Sequence, residues 1–143
     1  MRKAMVSIVC GLGLLLVGTW GVRAEDPPAQ PAHRVGWLAG KWKLEGWNMG
    51  SDPEGQADYQ GEVVVAHKGK DTYELSWKVG GNAVNTGVGL YDARTNTFAG
   101  GYAIQNQPGV AIWQFSEDGK VMSCVGTFKG AIGDVAWERW TKP

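Results

Sequence analysis

Apolar and polar residues alternate without a break through DTYELSWKVGG, residues 71–81. Tyr73, Leu75, Trp77 and Val79 take one phase, and Thr72, Glu74, Ser76 and Lys78 take the other. Strict alternation through aromatic and β-branched side chains predicts a half-buried β-strand. Weaker versions of the pattern recur on both sides of it. Residues 41–48 read as a first strand with Trp42 and Leu44 inward, and 57–67 as a second with Tyr59, Val63 and Val65 on one face. After the central strand, 83–91 places Val84, Val88 and Leu90 in register, and 97–104 does the same for Phe98, Tyr102 and Ile104. In 109–115 the apolar residues split between Val110/Ile112 and Ala111/Trp113/Phe115. Strands at 121–128 and 134–141 complete the series, the last with Val135, Trp137 and Arg139 in one phase.

The connections are short and carry turn chemistry: Asp52-Pro53 with Gly55, Lys68-Gly69-Lys70, Gly80-Gly81-Asn82 and Glu117-Asp118-Gly119. Eight strands joined in this way should pair antiparallel with their neighbours. Closure into a barrel would remove the exposed edges of such a meander. The expected fold is therefore all-β, an eight-stranded antiparallel up-and-down barrel. An open sheet or a two-layer sandwich is the alternative, disfavoured by the lack of a long crossover connection. A single helical turn at 33–39, with Val35, Trp37 and Leu38 apolar and Gly40 as its stop, is expected to plug one end.

The chain start belongs to a different class. Arg2 and Lys3 precede an apolar run from Ala4 to Thr19, and Val22-Arg23-Ala24 supplies small residues where a signal peptidase reads them. The expected organisation is a signal peptide at 1–24, a disordered proline-rich leader at 25–36 and the barrel at 37–143. A lipid anchor on Cys10 is the competing reading. Val9 before it and the long apolar stretch after it both argue against the anchor. The expected location is secreted or periplasmic, with no membrane association once the signal is removed.

Removing the signal changes the charge. Lys and Arg balance Asp and Glu at 14 each in the full chain, but Arg2, Lys3 and Arg23 precede every acidic residue, so the remainder carries −3. No basic patch remains for nucleic acid or an anionic membrane surface. Cys124 would be the remaining cysteine, which rules out an internal disulfide and leaves stability to packing. Of the 8 tryptophans, 7 follow the signal. Each can bury a large apolar area.

Leu38-Ala39-Gly40-Lys41-Trp42 is an apolar turn followed by Gly-x-Trp at the start of an eight-stranded meander. It resembles the calycins: lipocalins, avidins, fatty-acid-binding proteins and nitrobindin-like domains. The runs YQGEVVV, YELSW, GVGLYD and FAGGY are also similar to uncharacterised secreted bacterial β-proteins. In lipocalins the tryptophan closes one end of the barrel beneath a basic residue of the last strand. The resemblance implies that pair as Trp42 and Arg139. It supplies no ligand-specific motif.

Candidate chemistry is sparse. Nitrobindin-like barrels hold haem through a histidine, which nominates His67; with only two histidines in the chain, a solvated rim position is the preferred reading and no cofactor is expected. No His, Cys and carboxylate spacing suggests a metal site. Cys124, between Ser123 and Val125, reads as a small buried hydrophobe rather than a thiol nucleophile. Glu62 and Glu74 fall in outward phases, so a carboxylate pair for hydrolysis is not expected. What remains is the aromatic set. Tyr73, Trp77, Leu90, Tyr102 and Trp113 are the candidates for the wall of an interior pocket. The leading expectation is an exported, non-enzymatic barrel holding a small apolar or aromatic ligand. The alternative is a filled barrel acting as an envelope or secreted interaction protein, binding a protein or glycan through an outer face that exposes Trp47 or Trp140.

Overall fold

The computed structural model describes residues 36–81 and 83–143, and the side chains of Ala83 and Val84 are also left aside. Expectations for the signal, the leader, Cys10, His33 and Val35 lie outside the described residues.

Eight strands follow one another: β1 (Gly40–Trp47), β2 (Tyr59–Gly69), β3 (Thr72–Val79), β4 (Ala83–Asp92), β5 (Thr97–Ile104), β6 (Gln107–Phe115), β7 (Val121–Phe128) and β8 (Ala136–Thr141). Each pairs antiparallel with the next, and β8 returns to β1 through pairs such as Leu44 with Trp140. The sheet is thus a closed up-and-down barrel, with no free edge to cover. Strands β5 and β7 have the expected bounds, and the others differ by one or two residues because the turns tighten or extend them. Of the expected N-terminal helical turn, the described part holds one hydrogen bond, from Ala39 N–H to the Gly36 carbonyl at 3.0 Å. A short 3-10 turn, Lys129–Ala131, joins β7 to β8.

Side chains pointing inward form one core. Trp42, Leu44, Val63, Val65, Tyr73, Leu75 and Trp77 from β1–β3 meet Phe98, Ala111, Trp113, Met122, Cys124 and Trp140 from β5–β8. In β6 the split pattern resolves toward Ala111 and Trp113, leaving Val110 and Ile112 exposed.

Two strands run in the phase opposite to the one their apolar residues suggest. In β4, Val88 and Leu90 are 68% and 57% exposed, while Gly87 and Gly89 face the interior. The reason is room. A Cβ on Gly89 would lie 2.1 Å from Phe98 Cζ, and one on Gly87 would lie 2.6 Å from the Gly101 carbonyl oxygen. Interior aromatics have already taken the space that a β4 side chain would need. In β8 the inward residues are Ala136, Glu138 and Trp140, and the outward ones are Trp137 and Arg139. Trp140 decides that phase: its ring sits 5.8 Å from Trp77 and 5.1 Å from Trp113 at the centre of the barrel.

The same phase corrects the basic residue expected over Trp42. Arg139 is exposed, with its Cζ 5.4 Å from the ring centre of Trp47 on the outside of the barrel. Lys142, just past β8, covers Trp42 instead, its Nζ 4.6 Å from the ring centre. Its ammonium also donates to the Trp37 and Ala39 carbonyls at 3.0 and 3.1 Å, and Trp42 Nε1 donates to the Leu38 carbonyl at 3.0 Å. This end is closed by the N-terminal turn, tied down from the C-terminus.

Trp47 and Trp140 are not exposed. Trp140 is core, and Trp47, though in the outward phase of β1, is only 4% accessible. The β1–β2 loop folds back over it, with Trp47 Nε1 donating to the Gly55 carbonyl at 3.0 Å. Asp58 holds the loop base through the Asn48 N–H at 2.7 Å.

Candidate functional site

The other end of the barrel is framed by the β1–β2 loop and the β3–β4, β5–β6 and β7–β8 connections. Here the core stops short and leaves an open-mouthed cavity of about 600 Å³. Trp77 and Trp113 lie at its inner wall, with Tyr59, Tyr102, Cys124 and Phe128 around the sides and Met49 and Ile104 toward the mouth. The discriminating quantity between a filled and a hollow barrel is this volume. The barrel is filled at one end and hollow at the other.

Three of the five expected pocket residues, Trp77, Tyr102 and Trp113, line the cavity. Two do not. Tyr73 is packed in the closed half with its ring 5.7 Å from Phe98. Leu90 points outward with Val88, Val110 and Ile112 on the outer face of β4–β6.

Glycines set the shape of the wall. The Tyr59 ring lies across Gly46, where a Cβ would come within 2.0 Å of its Cζ, and the Tyr102 ring lies across Gly109 at 2.5 Å. Each glycine lets a phenol lie flat against the sheet, leaving the centre open.

Among the described residues, one charged side chain lines the cavity. Glu138 projects inward from β8, and both of its oxygens accept hydrogen bonds. Tyr59 O–H donates to Oε1 at 3.0 Å; Trp140 Nε1 and Trp77 Nε1 donate to Oε2 at 2.8 and 3.4 Å. None of the ion pairs among the described residues includes Glu138; they join Lys41 to Glu62, Lys68 to Glu74 and Arg94 to Asp92 on the surface. Burial raises the Glu138 carboxyl above its ordinary value, against the pull of the Trp140, Tyr59 and Trp77 donors. Its residue surface is nevertheless partly accessible, because it opens onto the cavity.

The neighbours respond in kind. Burial, then the Glu138 charge, pushes the Tyr59 hydroxyl up, and burial with the Cys124 and Glu138 charges pushes Tyr102 up to about 12. Burial first and Glu138 second raise the Cys124 thiol well above its ordinary value. A thiol held protonated in this way is a poor nucleophile. Trp113 Nε1 is shut off from solvent and has no hydrogen-bond partner among the described residues.

Glu138 was not among the residues singled out from sequence. The signal was present in Ala136-Trp137-Glu138-Arg139-Trp140: a glutamate two positions before a tryptophan shares its phase. Choosing between that phase and the Trp137/Arg139 phase required knowing which tryptophan filled the core.

His67 sits at the opposite end from the cavity, exposed, with a ring nitrogen against the Lys70 carbonyl and its ring 5.2 Å from Tyr73. Glu62 and Glu74 face outward in the ion pairs named above.

Glu138 makes stability depend on pH in a defined direction. Between the ordinary glutamate value of 4.5 and its own raised one, the folded chain keeps a proton that the unfolded chain releases. Stability should therefore rise as pH falls from neutral into that window, and level off near 4.5. Asp58, Asp92 and Asp118, held low by hydrogen bonds, withdraw their contributions only below the ordinary aspartate value of 3.8. Denaturant midpoints at about pH 5 and pH 7 should show the acid gain in the native chain and not in Glu138→Gln. A midpoint that falls on acidification would mean that Glu138 is not desolvated.

No family model and no curated protein matches the sequence. Among solved structures, the chain is similar to the crystal structure of a mutant of the fluorescent protein UnaG, at 9% identity and a TM-score of 0.47, covering 74% of this chain and 96% of that one. It is also similar to Echinococcus granulosus fatty-acid-binding protein 1, at 10% identity and a TM-score of 0.46, covering 73% and 96%. Likeness at that level assigns neither a family nor a ligand; the closed eight-stranded meander is read from the strand pairing itself.

Proposed function

We propose that this protein is an exported, non-enzymatic barrel that binds one small, largely apolar or aromatic molecule in its open-ended cavity. The observation that carries the reading is the cavity of about 600 Å³, walled mainly by aromatic and other apolar side chains with few polar groups. Ligand sites of about 300–1,000 Å³ with this mix of walls are the usual way such scaffolds hold small molecules. The absence of catalysis is supported by the state of the two reactive groups at the wall. Cys124 is held as a thiol, and Glu138 is tied by three donors. Export is supported by the basic start, the apolar run and the Val22-x-Ala24 pattern. The outer-surface alternative loses its anchors, since Trp47 and Trp140 are buried.

Native mass spectrometry of the protein purified from its own host tests the reading. The expected spectrum is a chain beginning at Glu25 with a non-covalently bound small molecule. Ala111→Phe, which puts a ring into the cavity from β6, should displace that molecule while the chain stays folded. A bound mass that survives Ala111→Phe would place the ligand outside the cavity, and a chain retaining residues 1–24 would overturn export.

A further inference from the structure

The polar chemistry of the cavity selects a class of ligand. Among the described residues its wall includes no lysine or arginine, and Glu138 is its one carboxylate. A carboxylate offers about four acceptor positions. Tyr59, Trp77 and Trp140 use three, two of them on Oε2, so Oε1 retains one. All three donors are neutral, which satisfies lone pairs without cancelling charge. Around this group stand the rings of Tyr59, Trp77, Tyr102 and Trp113, with Trp77 6.0 Å from Tyr102 and 6.4 Å from Trp113. Aromatic faces attract cations through their quadrupoles, most strongly where water is excluded.

A buried-side carboxylate with a free acceptor position and aromatic neighbours is a receptor for positive charge. We propose that the cavity takes organic cations: an apolar or aromatic body carrying a protonated amine, which donates to Glu138 Oε1. The inference rests on the ligand-binding reading above and sharpens it. A ligand with a carboxylate head would meet Glu138 as a like charge, with no cation at the wall to offset it. A neutral ligand could donate to Oε1 but would leave the charge unpaired.

Three probes that share one ring system separate these cases: 2-(2-naphthyl)ethylamine, 2-(2-naphthyl)ethanol and 2-naphthylacetate. Their binding to the full mature chain can be followed by calorimetry and by tryptophan fluorescence at neutral pH. The amine should bind tighter than the alcohol by roughly 10–100-fold, the scale of one charge-assisted hydrogen bond, and the acetate should be weakest. Glu138→Gln should remove the advantage of the amine over the alcohol. If the variant does not fold, the order of the three probes on the native chain still decides. Amine and alcohol binding equally, or the acetate binding best, overturns the cation assignment and leaves the cavity reading standing. Persistence of the amine preference in folded Glu138→Gln also overturns it. Binding by none of the three overturns both readings.

Discussion

Trp42→Ala should cost about 3–5 kcal/mol, a large part of the roughly 5–15 kcal/mol that holds a domain of this size. The indole is completely buried at the closed end of the barrel. Its removal leaves a void under Leu38, strips the Leu38 carbonyl of its donor and takes away the surface on which the Lys142 ammonium rests. The effect should exceed the sum of its visible contacts, because this residue and Lys142 both tie the N-terminal turn to the barrel. Lys142→Met keeps the apolar stem and removes the charge. It should cost about 0.5–2 kcal/mol, the range for a cation–π contact as it becomes desolvated. Arg139→Met, on the outside over Trp47, should cost less than Lys142→Met. Denaturant midpoints of the three variants check the order. If Arg139→Met is the more damaging of the two basic-residue changes, the closure described here is wrong and the lipocalin-like pairing is restored.

Gly89→Ala should destabilise by about 1–3 kcal/mol or more, although it adds one methyl group to a strand. The new Cβ would stand 2.1 and 2.4 Å from Phe98 Cζ and Cε2. Phe98 cannot step aside, since it is fully buried between Tyr73 at 5.7 Å and Trp113 at 5.1 Å. Protein interiors are packed too densely to take such a shift without moving the rings behind it. Val88→Ala, one residue earlier but on the outer face, should stay within about 0.5 kcal/mol of the native chain. The comparison is sharp because the apolar pattern of β4 leads to the opposite expectation. A costly Val88→Ala and a harmless Gly89→Ala would show that Val88 and Leu90 face the core after all.

Local pattern was enough to find the strands. β5 and β7 appear at their expected residues, and the organising strand carries Tyr73, Leu75 and Trp77 inward as its alternation requires. Short turns between eight such segments dictate an antiparallel meander, and the cost of open edges dictates closure. Trp77, Tyr102 and Trp113 could be placed in the interior for the same reason: each sits in a strand whose inward phase is marked by large apolar side chains.

Facing was undecidable from sequence where the large residues are not the buried ones. In β4 the inward positions beside Val88 and Leu90 are Gly87 and Gly89, where rings from other strands occupy the space above them, and a glycine carries no local mark of that neighbour. In β8 both phases hold a tryptophan and a charge, so alternation is a tie. It is broken by Trp77 and Trp113, more than 20 residues away in sequence, whose rings receive Trp140. That choice turns Glu138 inward and Arg139 outward, and with it determines the only charge at the cavity wall among the described residues. Trp47 is buried for a similar reason, covered by a loop that its own strand gives no sign of. Strand identity follows from a residue and its immediate neighbours. Side-chain burial, a carboxylate supported by Tyr59, Trp77 and Trp140, and a hollow left at one end depend on which distant rings occupy the centre, and only the closed barrel decides that.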